Sequence, residues 1–387
     1  MTAGRKFEHL WNDSFCLWVY IHGHKNWKNK HMHSPVDKAR NILVVSSEEG
    51  GAQILSSMIK AKPNKNYFFC LEGPAVKIFE GKIRKMQMVP LDFISSNRRS
   101  IDLVLTSTSF LSDFEQKAIA HAKKNKVKTA SVLDHWILYK QRFLPREIWN
   151  KIPITWMNYL PDEVWVTDRY AFDLIQKEQF PMRKVFRTNN QYLDDLALLF
   201  ENEEKRKAGP LIRPKQDVKV LYISEPVPEA SRLARLEPAF RGFTETDIVK
   251  TIILFLVSNY KLTNIKFRIR LDPKEPQDKY ESLITGVSQI EKSKSRSLIE
   301  DLLWANVVLG VESSDLVIAL AAGKHVFSYQ PETALQRTCI PHKAIRHIKV
   351  LDAEFAEKLE SLVNPPPEQT EEFVESKFPY QKRDMRR

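Results

Sequence analysis

One pattern constrains this chain more than any other. Short apolar runs of strand length, each closed by a turn and followed by helical spacing, recur from Asn41 to Tyr329 and restart once midway. The run 41–45 (Asn-Ile-Leu-Val-Val) ends in Ser46-Ser47-Glu48-Glu49-Gly50-Gly51, and residues 52–60 then carry apolar positions at helical spacing. Residues 67–71, 101–106, 127–133 and 163–167 are further strand candidates. Helical spacing over 112–124 and a capping Asp168 lie among them. Such alternation predicts a parallel sheet covered on both faces.

The polar stretch 201–217 interrupts the pattern, which resumes with strands at 218–224, 265–271, 306–309 and 325–329. Thr244-Glu245-Thr246-Asp247 reads as a capping box opening a helix to Tyr260, and a helix is expected from Ser313 through Ala322. A chain of 387 residues is long for one core and fits two domains. The expected fold class is α/β, with two Rossmann-like domains and a cleft between them. The expected divisions are an N-terminal basic arm over 1–40, a first domain over 41–205, a second over 206–364 and a tail over 365–387. A short helix is expected at 370–378 of the tail.

Bulk properties narrow the function classes. The longest apolar runs, Ile252–Val257 and Leu316–Ala322, fall far short of the roughly 18–20 residues that span a bilayer. Arg5, Lys6, Glu8, His9 and Asp13 break up the first fifteen residues, so no secretory signal is expected. Cys16, Cys70 and Cys339 form neither a disulfide framework nor a CxxC pattern, which favours the reducing cytoplasm. The net charge of +12 favours anionic partners, among them phosphorylated small molecules and the anionic inner face of a membrane. Nucleic acid is disfavoured, because no RRM, KH, helix-turn-helix or zinc-finger signature is present. His22, His24, His31 and His33 alternate with lysines in the arm, and those lysines would repel a cation. With no Asp-x-Asp either, neither a metal nor a cofactor is expected.

Parallel sheets bind ligands beyond the carboxyl ends of their strands. Four such ends carry chemistry. The first turn has Glu48 and Glu49, either able to accept a proton from a hydroxyl nucleophile, beside Gly50 and Gly51, which allow close approach. The two carboxylates would also suit a helix N-terminus without any catalytic role. Asp134 and His135, with Tyr139 and Arg142 beyond, gather an acid, an imidazole and a cation. Glu312, Ser313 and Ser314 precede a helix, where hydroxyls and backbone N–H groups suit a phosphate, or simply cap. Arg268 and Arg270 share one face of their strand, ahead of Asp272-Pro273.

The stretch 301–324, Asp-Leu-Leu-Trp-Ala-Asn-Val-Val-Leu-Gly-Val-Glu-Ser-Ser-Asp-Leu-Val-Ile-Ala-Leu-Ala-Ala-Gly-Lys, resembles the donor-domain signature of GT-B glycosyltransferases. More narrowly, the chain resembles bacterial surface-polysaccharide biosynthesis proteins related to sialyl- and polysialyltransferases. Glu48-Glu49-Gly50 and Ser313-Ser314 match two of their motifs, while Leu221–Pro226, Gly242–Asp247 and Val132–Trp136 add to the likeness. The resemblance implies inverting transfer from a nucleotide-sugar donor to a glycan or lipid-linked acceptor. Where that family has His-Pro, this chain has Asp272-Pro273, which implies a catalytically degenerate binding protein as the alternative. A second alternative is the related UDP-N-acetylglucosamine 2-epimerase. Aligned on Gly323-Lys324, however, the paired glutamates that hold its ribose fall at Val317 and Ile318.

Overall fold

The computed structural model describes residues 38–110, 112–136, 138–149, 151–207, 217–225, 243–259, 264–273, 275–295, 297–332, 340, 342 and 344–364. The histidine-rich arm, Cys16, Cys339 and the expected tail helix lie outside the described residues. The chain divides into two compact units, with the described residues up to Leu198 in one and those from Leu199 in the other.

The first unit is a seven-stranded sheet of β1 (Asn41–Ser46), β2 (Asn66–Leu71), β3 (Gln87–Met88), β4 (Leu103–Thr106), β5 (Thr129–Val132), β6 (Glu163–Val166) and β7 (Val185–Arg187). All pairings are parallel, in the order β3-β2-β1-β4-β5-β6-β7. Alternate side chains of β1 serve opposite layers. Ile42 and Val44 pack with Leu55, Phe79 and Trp165, while Leu43 and Val45 pack with Ile94, Phe114 and Ala118. Burial on both faces explains why this strand is an unbroken apolar run.

The second unit repeats the plan with β8 (Val218–Ile223), β9 (Ile265–Arg270), β10 (Ile290–Lys292), β11 (Val307–Gly310), β12 (His325–Tyr329) and β13 (Arg346–Ile348). These are again all parallel, in the order β10-β9-β8-β11-β12-β13. Val220, Tyr222, Ile252, Phe255, Phe267, Phe327 and Phe355 belong to its core cluster among the described residues. Each sheet therefore reverses direction of growth once, between β1 and β4 and between β8 and β11. In open α/β sheets that switch point is where ligands bind.

Capping follows the sequence. Asp168 Oδ1 accepts from Ala171 N at 2.7 Å, and Thr244 with Asp247 forms a capping box on the helix Glu245–Ser258. Three expectations shift. The strand expected from residue 101 begins at Leu103, because the Asp102 carboxylate accepts from the amides of Arg40 (2.8 Å) and Asn41 (2.9 Å) and ties off the start of β1. The helix Gln191–Lys207 runs into the stretch expected to be linker. The helix expected from Ser313 spans only Asp315–Ala321.

Candidate functional site

The switch point of the first unit is a dense polar cluster. Glu48 lies two residues beyond β1 and is partly buried. Its Oε1 accepts from Ser109 Oγ at 2.6 Å and from the Phe110 amide at 2.7 Å, both on the turn after β4. Those two bonds fix the carboxylate across the β1–β4 crevice. Glu49 and Gly50, in the first turn of the helix Glu49–Lys60, are exposed.

Asp134 follows β5, and its side chain is only 6% exposed. Its Oδ1 accepts from Thr108 Oγ1 at 2.5 Å and from Arg142 Nη1 at 3.0 Å. Its Oδ2 faces the two glycines, 3.2 Å from where a Cβ on Gly50 would sit. A Cβ on Gly51 would fall 2.2 Å from Ser107 Cβ. Gly51 is thus what lets the helix start press against β4. Burial raises the carboxyl pKa of Asp134, against the pull of Arg142 and Thr108.

His135 Nδ1 accepts from the Trp136 amide at 2.9 Å, which leaves the proton of the neutral ring on Nε2. Desolvation, with help from the Arg142 charge, pushes its pKa down to about 3. His135 is therefore a neutral imidazole near pH 7, able to offer a hydrogen bond from Nε2 and unable to serve as an imidazolium acid. Leu138, in the same connection, has φ 55°. A branched residue held in the left-handed region marks a turn that the surrounding contacts impose.

Glu115, in the first turn of the helix Phe114–Lys124, is a member of the cluster that the sequence did not suggest. It accepts from Ser47 N (2.7 Å), from Ser47 Oγ (2.9 Å) and from Ser107 Oγ (3.1 Å). Burial pushes its carboxyl pKa up to about 7, against those donors. A helix-opening glutamate is unremarkable in sequence; only the fold turns it back onto the end of β1. Arg142, noted in the sequence just beyond Asp134, proves to be that acid's buried partner.

The second unit departs further from expectation. The turn after β11 does present three converging amides, of Val311, Glu312 and Ser313. All three donate to Glu225 Oε1 at 2.9 Å. Glu225 lies two residues beyond β8, as Glu48 lies two beyond β1, and each follows a serine (Ser224, Ser47). The turn is also pinned from β12, since Ser328 Oγ donates to the Val311 carbonyl at 2.6 Å. The group expected at these amides was a donor phosphate; the structure places the chain's own carboxylate there. Desolvation, reinforced by the Glu312 charge, pushes Glu225 up to about 8 despite the three amides.

Ser313 Oγ accepts from the Asp315 amide at 3.2 Å, while Ser314 at the helix start makes no side-chain cap. Arg268 and Arg270, expected at the phosphate, are engaged elsewhere. Arg270 Nη1 meets Asp301 Oδ2 at 2.8 Å, and Arg268 Nη1 lies 3.4 Å from Asp301 Oδ1. Arg268 also bonds Glu291 at 2.6 Å and stacks its guanidinium 3.9 Å from the Trp304 ring centroid. Asp301 is fully buried and also accepts from Ser293 Oγ, so both cations are drawn to it as counter-charges. The Asp272 amide donates to Glu275 Oε2 at 2.9 Å, which holds the Asp272-Pro273 turn against the second unit's own acids. Val317, at a position where the epimerase pattern has a glutamate, is buried in the core.

Among the described residues no helix is long and apolar enough to cross a membrane, and no three metal-ligating side chains converge. No protein-family model matches the chain, and no curated protein sequence matches it. Its structure does resemble solved ones. A Listeria monocytogenes protein assigned as a UDP-N-acetylglucosamine 2-epimerase matches with TM-score 0.54 at 10% identity, over 87% of this chain and 90% of that one. The Anabaena protein HepE in complex with UDP and glucose gives TM-score 0.54 at 10% identity, over 88% and 94%. The glycotransferase of kitacinnamycin gives TM-score 0.50 at 12% identity, over 87% and 94%. At such identities the likeness defines the class of fold: two Rossmann-like α/β domains of the GT-B type.

Proposed function

We propose that this chain is a glycosyltransferase that uses a nucleotide-activated sugar, acting in surface-polysaccharide or glycoconjugate biosynthesis on a glycan or lipid-linked acceptor. We place it in the cytoplasm, in peripheral contact with the inner face of a membrane. The observation that carries the reading is the carboxylate cluster at the first switch point. There Glu48 is fixed by Ser109 Oγ and the Phe110 amide, beside the buried Asp134–Arg142 pair. In this reading the first domain holds the acceptor. Glu48 takes the proton from an acceptor hydroxyl as its oxygen attacks the anomeric carbon. The bond from that carbon to the nucleotide phosphate oxygen breaks with inversion, and the electron pair leaves with the phosphate. Glu49, exposed beside it, is the substitute base. Asp134 and His135 orient the acceptor by hydrogen bonds, and Gly50 and Gly51 give it room. The second domain holds the donor at Glu312, Ser313 and Ser314, once Glu225 yields the amides to the phosphate.

Nucleotide release by the purified chain, screened across UDP-, CMP- and GDP-sugars with and without candidate acceptors, tests this. A positioned base contributes about 10²–10⁴-fold. Glu48→Gln is therefore expected to cut turnover by at least about a hundredfold without loss of nucleotide binding. Turnover that is unchanged in Glu48→Gln would overturn the assignment.

A second reading is a GT-B-type binding protein without turnover. Two features favour it: Glu225 occupies the three amides proposed for a phosphate, and Asp272 stands where the proteins resembled in sequence have histidine. It predicts nucleotide affinity with no sugar transfer under any condition.

A further inference from the structure

The connection from β5 to β6 carries Asp134, His135 and Arg142, and then makes an excursion that the proposed chemistry does not use. Residues 151–159 stand out from the first unit. Ile154 is 99% exposed, and Met157 (43%), Tyr159 (39%) and Ile152 (37%) are exposed beside it. A single exposed apolar residue needs no explanation, but four within eight positions on one projecting turn do.

The base beneath them is firm. The 3₁₀ segment Ile154–Tyr159 turns around Trp156, which is buried and packs edge-on against Phe180 with ring centroids 4.9 Å apart. Tyr139 and Phe143 pack edge-on against the same ring. The Trp149 indole donates to the Leu144 carbonyl at 2.8 Å. The fold therefore holds these apolar side chains outward on a built platform.

The charge around the protrusion is mainly positive. Lys151 is exposed within it. Lys123 clamps its far end, with Nζ donating to the carbonyls of Asn158 (2.6 Å) and Leu160 (3.0 Å), and so brings its charge there on uncharged acceptors. Lys184 Nζ donates to the Pro161 carbonyl at 2.7 Å, next to Arg183 and the exposed Met182. Burial depresses the Lys184 pKa; the Asp162 charge opposes this, and the charges of Lys123 and Arg183 add to it. Three acids lie nearby, fewer than the cations, and Asp162 and Glu147 among them are exposed. Asp162 accepts from Thr129 N and Oγ1, Glu178 lies 3.8 Å from Lys140, and Glu147 follows Arg146 in the sequence.

We propose that residues 151–159 form a docking surface for an anionic lipid bilayer, with Ile152, Ile154, Met157 and Tyr159 entering the interface and Lys123, Lys151, Arg183 and Lys184 meeting the headgroups. Apolar side chains ringed by lysine and arginine are the combination that binds such a surface, because burial and charge attraction add. A protein groove would match the apolar turn equally well, but it would not by itself account for the surrounding cations. The inference does not depend on the donor chemistry; it gives the expected peripheral membrane contact a specific place.

The test is co-sedimentation of the full chain with phosphatidylcholine vesicles, with and without phosphatidylglycerol. Wild type is compared with Ile154→Asp plus Met157→Asp, the first position almost fully and the second nearly half solvent-exposed, with the melting temperature as the check on folding. Binding that requires phosphatidylglycerol and weakens at least about tenfold in the double variant, at unchanged melting temperature, is the expected result. No binding by wild type would overturn the proposal. So would equal binding by the double variant, which would assign the affinity to another basic part of the chain. A dimer in light scattering that Ile154→Asp converts to monomer would overturn it in favour of a second copy as the occupant.

Discussion

At the residue scale, the informative group is Glu225. Three amides converge on one oxygen, a geometry that suits any anion, yet the carboxyl is desolvated enough to be raised to about 8. A carboxyl whose folded pKa exceeds its unfolded value near 4.5 keeps its proton longer in the native state. Stability then falls as pH rises from the unfolded value toward the folded one, by up to about 1.4 kcal/mol per unit. Glu225→Gln keeps the acceptor oxygen and removes the titration. Chemical denaturation between pH 5 and pH 8 is therefore expected to show wild type losing stability relative to Glu225→Gln as pH rises. Parallel curves would mean that the amides hold Glu225 ionised throughout. Little in the sequence singles out this residue. The Ser-Glu pair after β8 matches the one after β1, but nothing in its spelling shows that its carboxylate crosses to β11.

At the element scale, most of the architecture was legible because a parallel sheet buried on both faces writes itself as apolar runs. The four strands missed, β3, β7, β10 and β13, have two or three residues each, mostly exposed or only partly buried, so they carry no such run. Two of the four strand ends singled out for candidate residues come together in the structure. Glu48, Gly50, Gly51, Asp134 and His135 do gather at one edge, because β1, β4 and β5 are neighbours in the sheet. Arg268 and Arg270 show the limit of that logic. Alternation correctly put them on one face, but the helix Leu298–Trp304 brings a buried Asp301 to meet them, and a sequence does not show which helix covers which face. At Gly51 there is no room for a side chain, because a Cβ would overlap Ser107. Gly51→Ala is expected to force the helix Glu49–Lys60 away from β4 and to destabilise the chain by about 1–3 kcal/mol in denaturant titrations. A neutral result would show that the helix start relaxes freely, and Gly51 would lose its role in shaping the site.

At the scale of the whole molecule, the two domains are variations on one plan, each with a glutamate spanning the switch point from the first strand to the fourth. In the first domain that glutamate is joined by Asp134, Glu115, Arg142 and a neutral imidazole, groups of the kind that the proposed proton transfer needs. In the second it occupies the three amides proposed for the donor phosphate. The account therefore requires that an anionic donor displace Glu225.

The measurement that tests this most directly is thermal melting of the purified chain against CMP, UDP, GDP and CDP. A ligand at about 100 times its dissociation constant adds about 2.7 kcal/mol of stability. One nucleotide is expected to raise the midpoint by several degrees, and Ser313→Ala plus Ser314→Ala to abolish the rise. If no nucleotide shifts either wild type or Glu225→Ala, the second domain holds no donor, and the transferase reading is contradicted.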